Sequence, residues 1–200
     1  MNTHGPGLFH HSSKHILQPS DMEGQKFRTG GPIPLKIVEA WGGVSIRQPA
    51  PKSYEILSTG VADGITFPYE SLSSFKITKL VPFSTYVPGG LYSSSHYLMI
   101  NEKKYAALSP ADKAIIDKHS GVAFAERGGK AWDLINDRGL EEAKAAGNNI
   151  VTAPDSLIQE VRKLNEQFEA DYIAEAKEAG VDGAEILKYF HSEVARLSAK

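Results

Sequence analysis

Short strand-like and helix-like segments alternate between residues 25 and 78, and this alternation restricts the possible folds more than any other feature. Extended segments rich in β-branched and aromatic residues are predicted at 25–29, 44–48 and 61–68. Segments with helical spacing of apolar residues are predicted at 35–41, 50–57 and 71–78. Strands that alternate with helices are typical of an α/β domain with a parallel sheet.

The rest of the chain is predicted to be loop before this region and mostly helix after it. Residues 1–34 are rich in Gly, Pro, Ser and His, so only 25–29 is predicted to be a strand there. Two extended segments are predicted within 81–100. Ser109 and Pro110 form a helix-start signal, and one helix is predicted from there to Ala146, with Gly147 ending it.

A returning strand is predicted at 149–152, followed by helices at 155–179 and from Asp182 to the C-terminus. These elements suggest three regions. Residues 1–80 form an α/β segment, 81–148 contain crossover strands and the long helix, and 149–200 contain the returning strand and the C-terminal helices.

Composition excludes several classes of function. Hydrophobic residues make up 41% of the chain and charged residues 23%, which is enough for an ordinary globular core. The formal net charge is −2 and no basic tract is present, so a nucleic-acid partner is not expected. No apolar run approaches the roughly 20 residues that cross a bilayer, so no direct membrane insertion is expected. The first residues lack the basic and apolar regions of a signal peptide.

The sequence offers no convincing catalytic or metal site. Cysteine is absent, which excludes disulfides, thiolate nucleophiles and Cys-based zinc sites. His11 and His15 would share a face only in a helix, and their segment is predicted to be loop, so no metal ligand is assigned. No Gly-x-Ser-x-Gly motif occurs. A hydrolase or isomerase with His4 or His96 as its base is the enzymatic alternative, but neither histidine has an identifiable partner. No catalytic residue and no cofactor are predicted.

One arginine is a candidate ligand contact. Arg28 lies at the end of a predicted strand, and Thr29, Gly30 and Gly31 follow it. Its guanidinium forms a rigid fork that matches a carboxylate, and neighbouring glycines let backbone amides approach a ligand. From these residues alone, an exposed surface arginine is the alternative.

Four stretches resemble the DctP-type solute-binding proteins of tripartite ATP-independent periplasmic (TRAP) transporters. Residues 21–28, DMEGQKFR, are similar to the family's DLKGLKIR, and residues 53–64, SYEILSTGVADG, to its EVYxALQxGxVDG. Residues 108–112, LSPAD, are similar to LSPEDQ, and a long glycine-interrupted helix follows. Each stretch is a weak match by itself, but their order and spacing extend the resemblance over nearly the whole chain.

The resemblance implies an α/β fold with two periplasmic-binding-protein-like type II lobes, a long helix spanning both lobes and C-terminal helices. It implies no enzymatic activity. The function it implies is that of a periplasmic subunit that captures a small organic acid for uptake driven by an ion gradient. Its partners would be the acid and the TRAP membrane subunits. Arg28 matches the family arginine that forms a salt bridge with the ligand carboxylate.

The resemblance also bears on the ligand. Phe67 stands where many members have a polar contact in the motif DGQENP. Together with Tyr69, Tyr86 and Tyr92, it favours an aromatic or branched 2-oxo acid over a sugar acid, unless these rings simply fill the core. His4 and Gly31 complete the predicted binding residues.

Family members extend further at the N-terminus, so this chain is expected to be N-terminally truncated and to keep mainly the second lobe. The alternative to a solute-binding function is that the chain is a non-functional fragment or serves only as a helical interaction surface.

Overall fold

The structure, a computed structural model, describes Met1–Ser198. The chain forms two compact units, one from Met1 to Pro154 and one that begins at Asp155. The first unit contains all of the β-strands and six of the eight α-helices of the described residues.

The strands are short. In chain order they are β1 (Asn2–Thr3), β2 (Leu8–His11), β3 (Lys26–Thr29), β4 (Val44–Arg47), β5 (Gly64–Phe67), β6 (Phe83–Tyr86), β7 (Ser95–His96) and β8 (Asn149–Thr152). The helices of the first unit are α1 (Pro32–Ala40), α2 (Ser53–Ser58), α3 (Tyr69–Ser74), α4 (Glu102–Ala106), α5 (Pro110–Lys118) and α6 (Gly121–Ala145).

Six strands form one mixed sheet in the order β4-β3-β5-β2-β6-β8. The central strand β2 runs antiparallel to both of its neighbours, β5 and β6. The pairs β3–β4 and β3–β5 are parallel, as the alternation of strands and helices predicted, and the pair β6–β8 is also parallel. A separate two-stranded antiparallel sheet joins β1 to β7.

Strand β2 corrects the prediction of a loop before residue 25. All four of its side chains are buried, so the sequence shows no apolar–polar alternation. Its two histidines read as polar loop residues, yet both are satisfied by residues distant in sequence. His10 Nδ1 lies 2.8 Å from Ser84 Oγ, and His11 Nε2 lies 3.0 Å from Gln25 Oε1. Partners of this kind cannot be identified from local sequence.

The single helix predicted from 110 to 146 is wrong, because the structure has two helices there. The start signal is confirmed: the Ser109 hydroxyl accepts a hydrogen bond from the Asp112 backbone N–H at 3.1 Å. Helix α5 then ends at Lys118, and the Ser120 hydroxyl donates to the Ile116 carbonyl. Gly121, the first residue of α6, has a φ of +62°, which breaks the helical path between the two helices.

Other boundaries differ by a few residues. Helix α3 begins at Tyr69, two residues before the predicted start, and it ends at Ser74. The second extended segment forms a strand only at Ser95–His96, and residues 97–100 that follow are exposed. Strand β8 has the predicted bounds, and helices α1 and α2 lie where helices were predicted.

Helix α6 packs closely against α3 at a glycine. A Cβ atom placed on Gly139 would lie 2.5 Å from the Tyr69 carbonyl oxygen. Only a residue without a side chain permits this approach, which fixes α3 beside the sheet. The core between these elements includes Leu8, Ile65 and Leu72, all fully buried.

The second unit is a pair of helices, α7 (Asp155–Glu178) and α8 (Gly183–Ser198). Gly180 has a φ of +77° and ends the first helix, and the Asp182 carboxylate accepts from the Glu185 backbone N–H at 2.9 Å to start the second. Glu169 on α7 pairs with His191 on α8 at 3.0 Å. No helix in the described part of the chain combines the length and the apolar character that a membrane span requires.

Candidate functional site

A cleft of about 230 Å³ lies where β3 and β5 end, within the first unit. Because the two strands are parallel, their carboxyl ends meet at the same edge of the sheet, which is the usual ligand position in α/β folds. Arg28 lines the cleft from β3 and Phe67 from β5, and Gly30 and Pro68 line it from just beyond the ends of these strands.

Arg28 is a buried cation with spare hydrogen-bonding capacity. Its side chain is only 3% exposed, and its Nε donates to the Gln48 carbonyl oxygen at 2.9 Å. Its Nη1 is buried and has no hydrogen-bond partner. Burial lowers the pKa of Arg28, yet a guanidinium stays protonated in proteins. An unpaired buried cation is unfavourable, so a bound anion would be stabilised here.

Gly30 leaves room for this guanidinium. A Cβ atom at residue 30 would lie 3.0 Å from Arg28 Nη1 and 3.3 Å from Nη2, closer than side chains normally pack. Arg28 also borders an adjoining open groove of about 410 Å³, together with Arg47 and Gln48. The Phe67 ring that the guanidinium overlies belongs to the 230 Å³ cleft and not to this groove.

Aromatic rings form a large part of the cleft wall. Phe67 stacks on Phe75 with ring centroids 5.5 Å apart and an angle of 16° between the rings. Trp132 from α6 and His96 from β7 also line the cleft, and their rings stack with centroids 5.2 Å apart. These rings, with Tyr92 and His4, can enclose a flat apolar ligand.

Tyr92 is held in one orientation by the strand beneath it. Its hydroxyl donates to the Thr66 carbonyl oxygen at 2.9 Å. Burial raises the pKa of Tyr92 to about 12, while the positive charge of Arg28 acts in the opposite direction, so the hydroxyl is neutral at physiological pH. A Cβ atom on Gly7 would lie 2.1 Å from the Tyr92 ring, so the ring rests directly on the backbone.

Both nitrogens of His4 are engaged by the backbone. Its Nε2 accepts from the Ser94 N–H at 3.2 Å, and its Nδ1 contacts the Gly5 carbonyl oxygen. Burial is the main cause that lowers the pKa of His4, which favours the neutral ring. A histidine with both nitrogens bonded in this way is a wall residue rather than a free general base.

Glu70 is a cleft residue that sequence reasoning missed. Its side chain is 8% exposed in the first turn of α3, where its carboxylate accepts from the Ser71 hydroxyl and, at 3.2 Å, from the Ser74 hydroxyl. The sequence signal that could have indicated a place in the cleft was its position two residues after Pro68, which follows β5. Trp132 and His96 were also missed as wall residues, because they come from distant segments.

The structure places two of the predicted binding residues outside this cleft. Gly31 caps the start of α1 next to Gly30, and no atom outside its neighbours would lie within 4 Å of a Cβ there. The Tyr69 ring packs against His10 at 5.5 Å and lines a separate cavity of about 380 Å³. The structure therefore brings together Arg28, Phe67, Tyr92 and His4. The ligand contacts of all six residues stay predictions.

Among residues 1–198, no group of three or more His, Asp or Glu side chains lies close enough to hold a metal ion. The cleft contains one buried cation, one buried carboxylate and several rings. Such a set of residues suits recognition of an organic anion.

Comparison with known proteins agrees with this geometry. The model of the family described as bacterial extracellular solute-binding protein, family 7, or DctP, matches residues 4–177. The chain belongs to the DctP family. The resemblance predicted from the four sequence stretches is confirmed, and so is the α/β fold. Members of this family are binding proteins and not enzymes.

Several relatives have solved structures. A TRAP periplasmic solute-binding protein from Bordetella bronchiseptica, with bound (R)- and (S)-mandelate, is 40% identical, with a TM-score of 0.91 over 98% of this chain and 62% of its own. One from Rhodoferax ferrireducens, in complex with copurified benzoate, is 30% identical, with a TM-score of 0.87 over 96% of this chain and 63% of its own.

A curated relative from Comamonas testosteroni, called outer membrane transporter protein TsaT, is 28% identical over 95% of this chain and 56% of its own length. This DctP chain therefore spans less than two thirds of the length of each of these relatives.

Proposed function

We propose that this DctP chain binds a small aromatic monocarboxylate in the 230 Å³ cleft, as part of the solute-binding subunit of a TRAP transporter. The observation that carries the proposal is the buried Nη1 of Arg28, which lacks a hydrogen-bond partner inside a cleft walled by aromatic rings. A carboxylate would complete the hydrogen bonds of the guanidinium, and the ring of the ligand would contact Phe67 and its neighbours.

The size of the cleft supports a small ligand. Pockets for drug-sized molecules span about 300–1,000 Å³, and this cleft is smaller. Its apolar walls favour a ring over a polyhydroxylated sugar acid, which would leave many hydroxyl groups without partners. The benzoate and mandelate bound by the two relatives, which are 30% and 40% identical, belong to the same chemical class.

The role in transport rests on family membership. A solute-binding protein delivers its ligand to membrane subunits, and the location we propose is the periplasm. In such proteins, closure over a ligand pairs a buried charge and excludes water, which strengthens the ion pair. Arg28 supplies that charge here.

Calorimetric titration with benzoate and mandelate tests the proposal. A branched 2-oxo acid and a hexuronic acid serve as competing ligand classes. We expect measurable binding of the aromatic acids and at least about a hundredfold loss in Arg28→Ala, because a hydrogen-bonded charge pair contributes several kcal/mol. Arg28→Lys keeps the charge without the fork and should recover only part of the affinity.

The matched control is Arg138→Ala, which removes an exposed arginine of α6 that does not line the cleft. It should bind like the wild type. Binding of the hexuronic acid in preference to the aromatic acids would overturn the proposed ligand class, and equal losses in the Arg28 and Arg138 variants would overturn the proposed site.

A further inference from the structure

We propose that Glu70 makes the cleft selective for aromatic monocarboxylates that carry a hydrogen-bond-donating hydroxyl, and that it excludes a second carboxylate. This inference rests on the proposed function and adds a second recognition point to it. Arg28 and Glu70 line the same cleft from different elements, β3 and the first turn of α3.

The two charges share the cleft without neutralising each other. Within residues 1–198, Arg28 forms no ion pair with any acidic side chain, and the Glu70 carboxylate is bonded to serine hydroxyls instead. Both charges act on Tyr92: burial is the main cause that raises its pKa, Arg28 opposes this effect, and Glu70 adds to it. Tyr92 therefore lies within electrostatic reach of the two groups.

Glu70 retains acceptor capacity toward the cleft. A carboxylate has about four acceptor positions on its two oxygens, and the Ser71 and Ser74 hydroxyls use one position on each oxygen. The two serines also fix the direction of the carboxylate. Glu70 lines the cleft and is only 8% exposed, so its free positions have little access to bulk water.

This arrangement favours one kind of ligand. A ligand whose carboxylate pairs with Arg28 places its remaining substituents elsewhere in the same small cleft. A hydroxyl that reaches Glu70 donates a charge-assisted hydrogen bond, which is about twice as strong as a neutral one. A carboxylate in that position would bring two like charges together in a cleft of about 230 Å³.

Titration with a substituted benzoate series tests this inference. The series contains benzoate, the three hydroxybenzoates, the three methoxybenzoates and the three benzenedicarboxylates. For at least one ring position, the wild type should bind the hydroxyl compound roughly tenfold more tightly than benzoate or the methoxy analogue. The dicarboxylates should bind more weakly than benzoate at every position.

The variant Glu70→Gln keeps the shape of the side chain and an acceptor oxygen but removes the charge. It should reduce the hydroxyl preference to about threefold or less and strengthen dicarboxylate binding, with little change for benzoate. Glu70→Asp keeps the charge and retracts it by one methylene, so the dicarboxylates should still be excluded.

The outcomes separate the two proposals. If benzoate binds through Arg28 but no hydroxybenzoate is preferred, or if Glu70→Gln keeps the full preference, the role of Glu70 is wrong and the proposed function stands. If no member of the series binds the wild type, both are wrong. If Glu70→Gln fails to fold, Glu70→Asp and the wild-type series still test the inference, because a wild type without a hydroxyl preference overturns it.

Discussion

The guanidinium carbon of Arg28 lies 4.5 Å from the centroid of the Phe67 ring. The two residues come from neighbouring parallel strands, β3 and β5, and both lie near the carboxyl ends of those strands. The face of an aromatic ring attracts a cation, so the ring holds the guanidinium in place without using its hydrogen-bond donors. Phe67 thus replaces a polar partner and leaves Nη1 available.

Replacement of Phe67 by Leu should weaken binding of aromatic acids by about tenfold, because it removes a cation–π contact of roughly 0.5–2 kcal/mol and a face of the cleft. Phe75→Leu is the matched control, since it removes the stacked ring but leaves Phe67 over the guanidinium. Calorimetric titration of both variants with benzoate should show the larger loss for Phe67→Leu. Equal losses would mean that the cation–π contact contributes nothing to affinity.

A pair of adjacent glycines gives a sharper test of the site. Gly30→Ala would place a methyl group about 3.0 Å from Arg28 Nη1, so the fork must shift by a few tenths of an ångström. We expect several-fold weaker binding of benzoate, because a charged hydrogen bond depends strongly on geometry.

Gly31→Ala introduces the same methyl group where no atom outside the neighbouring residues lies within 4 Å, and the φ of −165° suits any residue. Its affinity for benzoate should equal that of the wild type. A thermal melt of each variant separates loss of affinity from loss of folding. The role of Gly30 is refuted if the two variants bind benzoate equally well.

The sequence predicted best those elements that are bounded by local signals. Strand β8 lies between Gly147 and Pro154, and its predicted bounds are correct. The break between α5 and α6 at Ser120 was not predicted, because the helical spacing of apolar residues continues across it. The dipeptide Ser120-Gly121 is nevertheless typical of a turn. Strand β2 was missed because its four residues are all buried and are stabilised by partners distant in sequence.

The residues of the cleft also differ in whether local sequence signals predict their position. The position of Arg28 in a cleft could be predicted because it lies near the end of a strand, shortly before two glycines, and matches a family motif. Those of His96 and Trp132 could not, because the folded chain brings β7 and α6 to the cleft from positions far apart in sequence, whereas Glu70 had a local signal in its position after Pro68. Tyr69 was assigned to the ligand by residue type; its ring packs against His10 in the core, and its ligand contact stays a prediction.

The contact between α6 and α3 predicts a difference between two glycines of one helix. Gly139→Ala would place a methyl group 2.5 Å from the Tyr69 carbonyl oxygen, a backbone atom that cannot rotate away. We expect destabilisation of about 1–3 kcal/mol, the usual cost of overpacking. Gly129→Ala, with nothing within 4 Å, should instead stabilise α6 by up to about 1 kcal/mol through helix propensity.

Urea denaturation of the two variants measures both effects. The close packing of α3 on α6 is refuted if Gly139→Ala is as stable as Gly129→Ala. Because Glu70 follows Tyr69 in α3, a shift of this helix should also reduce the affinity for hydroxylated ligands in Gly139→Ala alone.

His10 predicts how the stability depends on pH. It is fully buried in the central strand, where Nε2 donates to the Phe67 carbonyl oxygen at 3.0 Å and Nδ1 accepts from the Ser84 hydroxyl at 2.8 Å. These bonds suit a neutral ring, and burial lowers the pKa of His10 to about 4 from a usual value of 6.5. The unfolded chain therefore binds a proton at a pH where the folded chain does not.

This difference in proton binding determines how the free energy of unfolding changes with pH. The stability that His10 contributes is complete above pH 6.5 and is lost as the pH falls toward about 4. At about 1.4 kcal/mol per pH unit, the loss over this interval is on the order of 3 kcal/mol. Urea denaturation at pH 7, 6, 5 and 4 should show this decline in the free energy of unfolding. His10→Gln should be less stable at pH 7 but should lose less stability on acidification, and a variant as acid-sensitive as the wild type would exclude His10 as the cause.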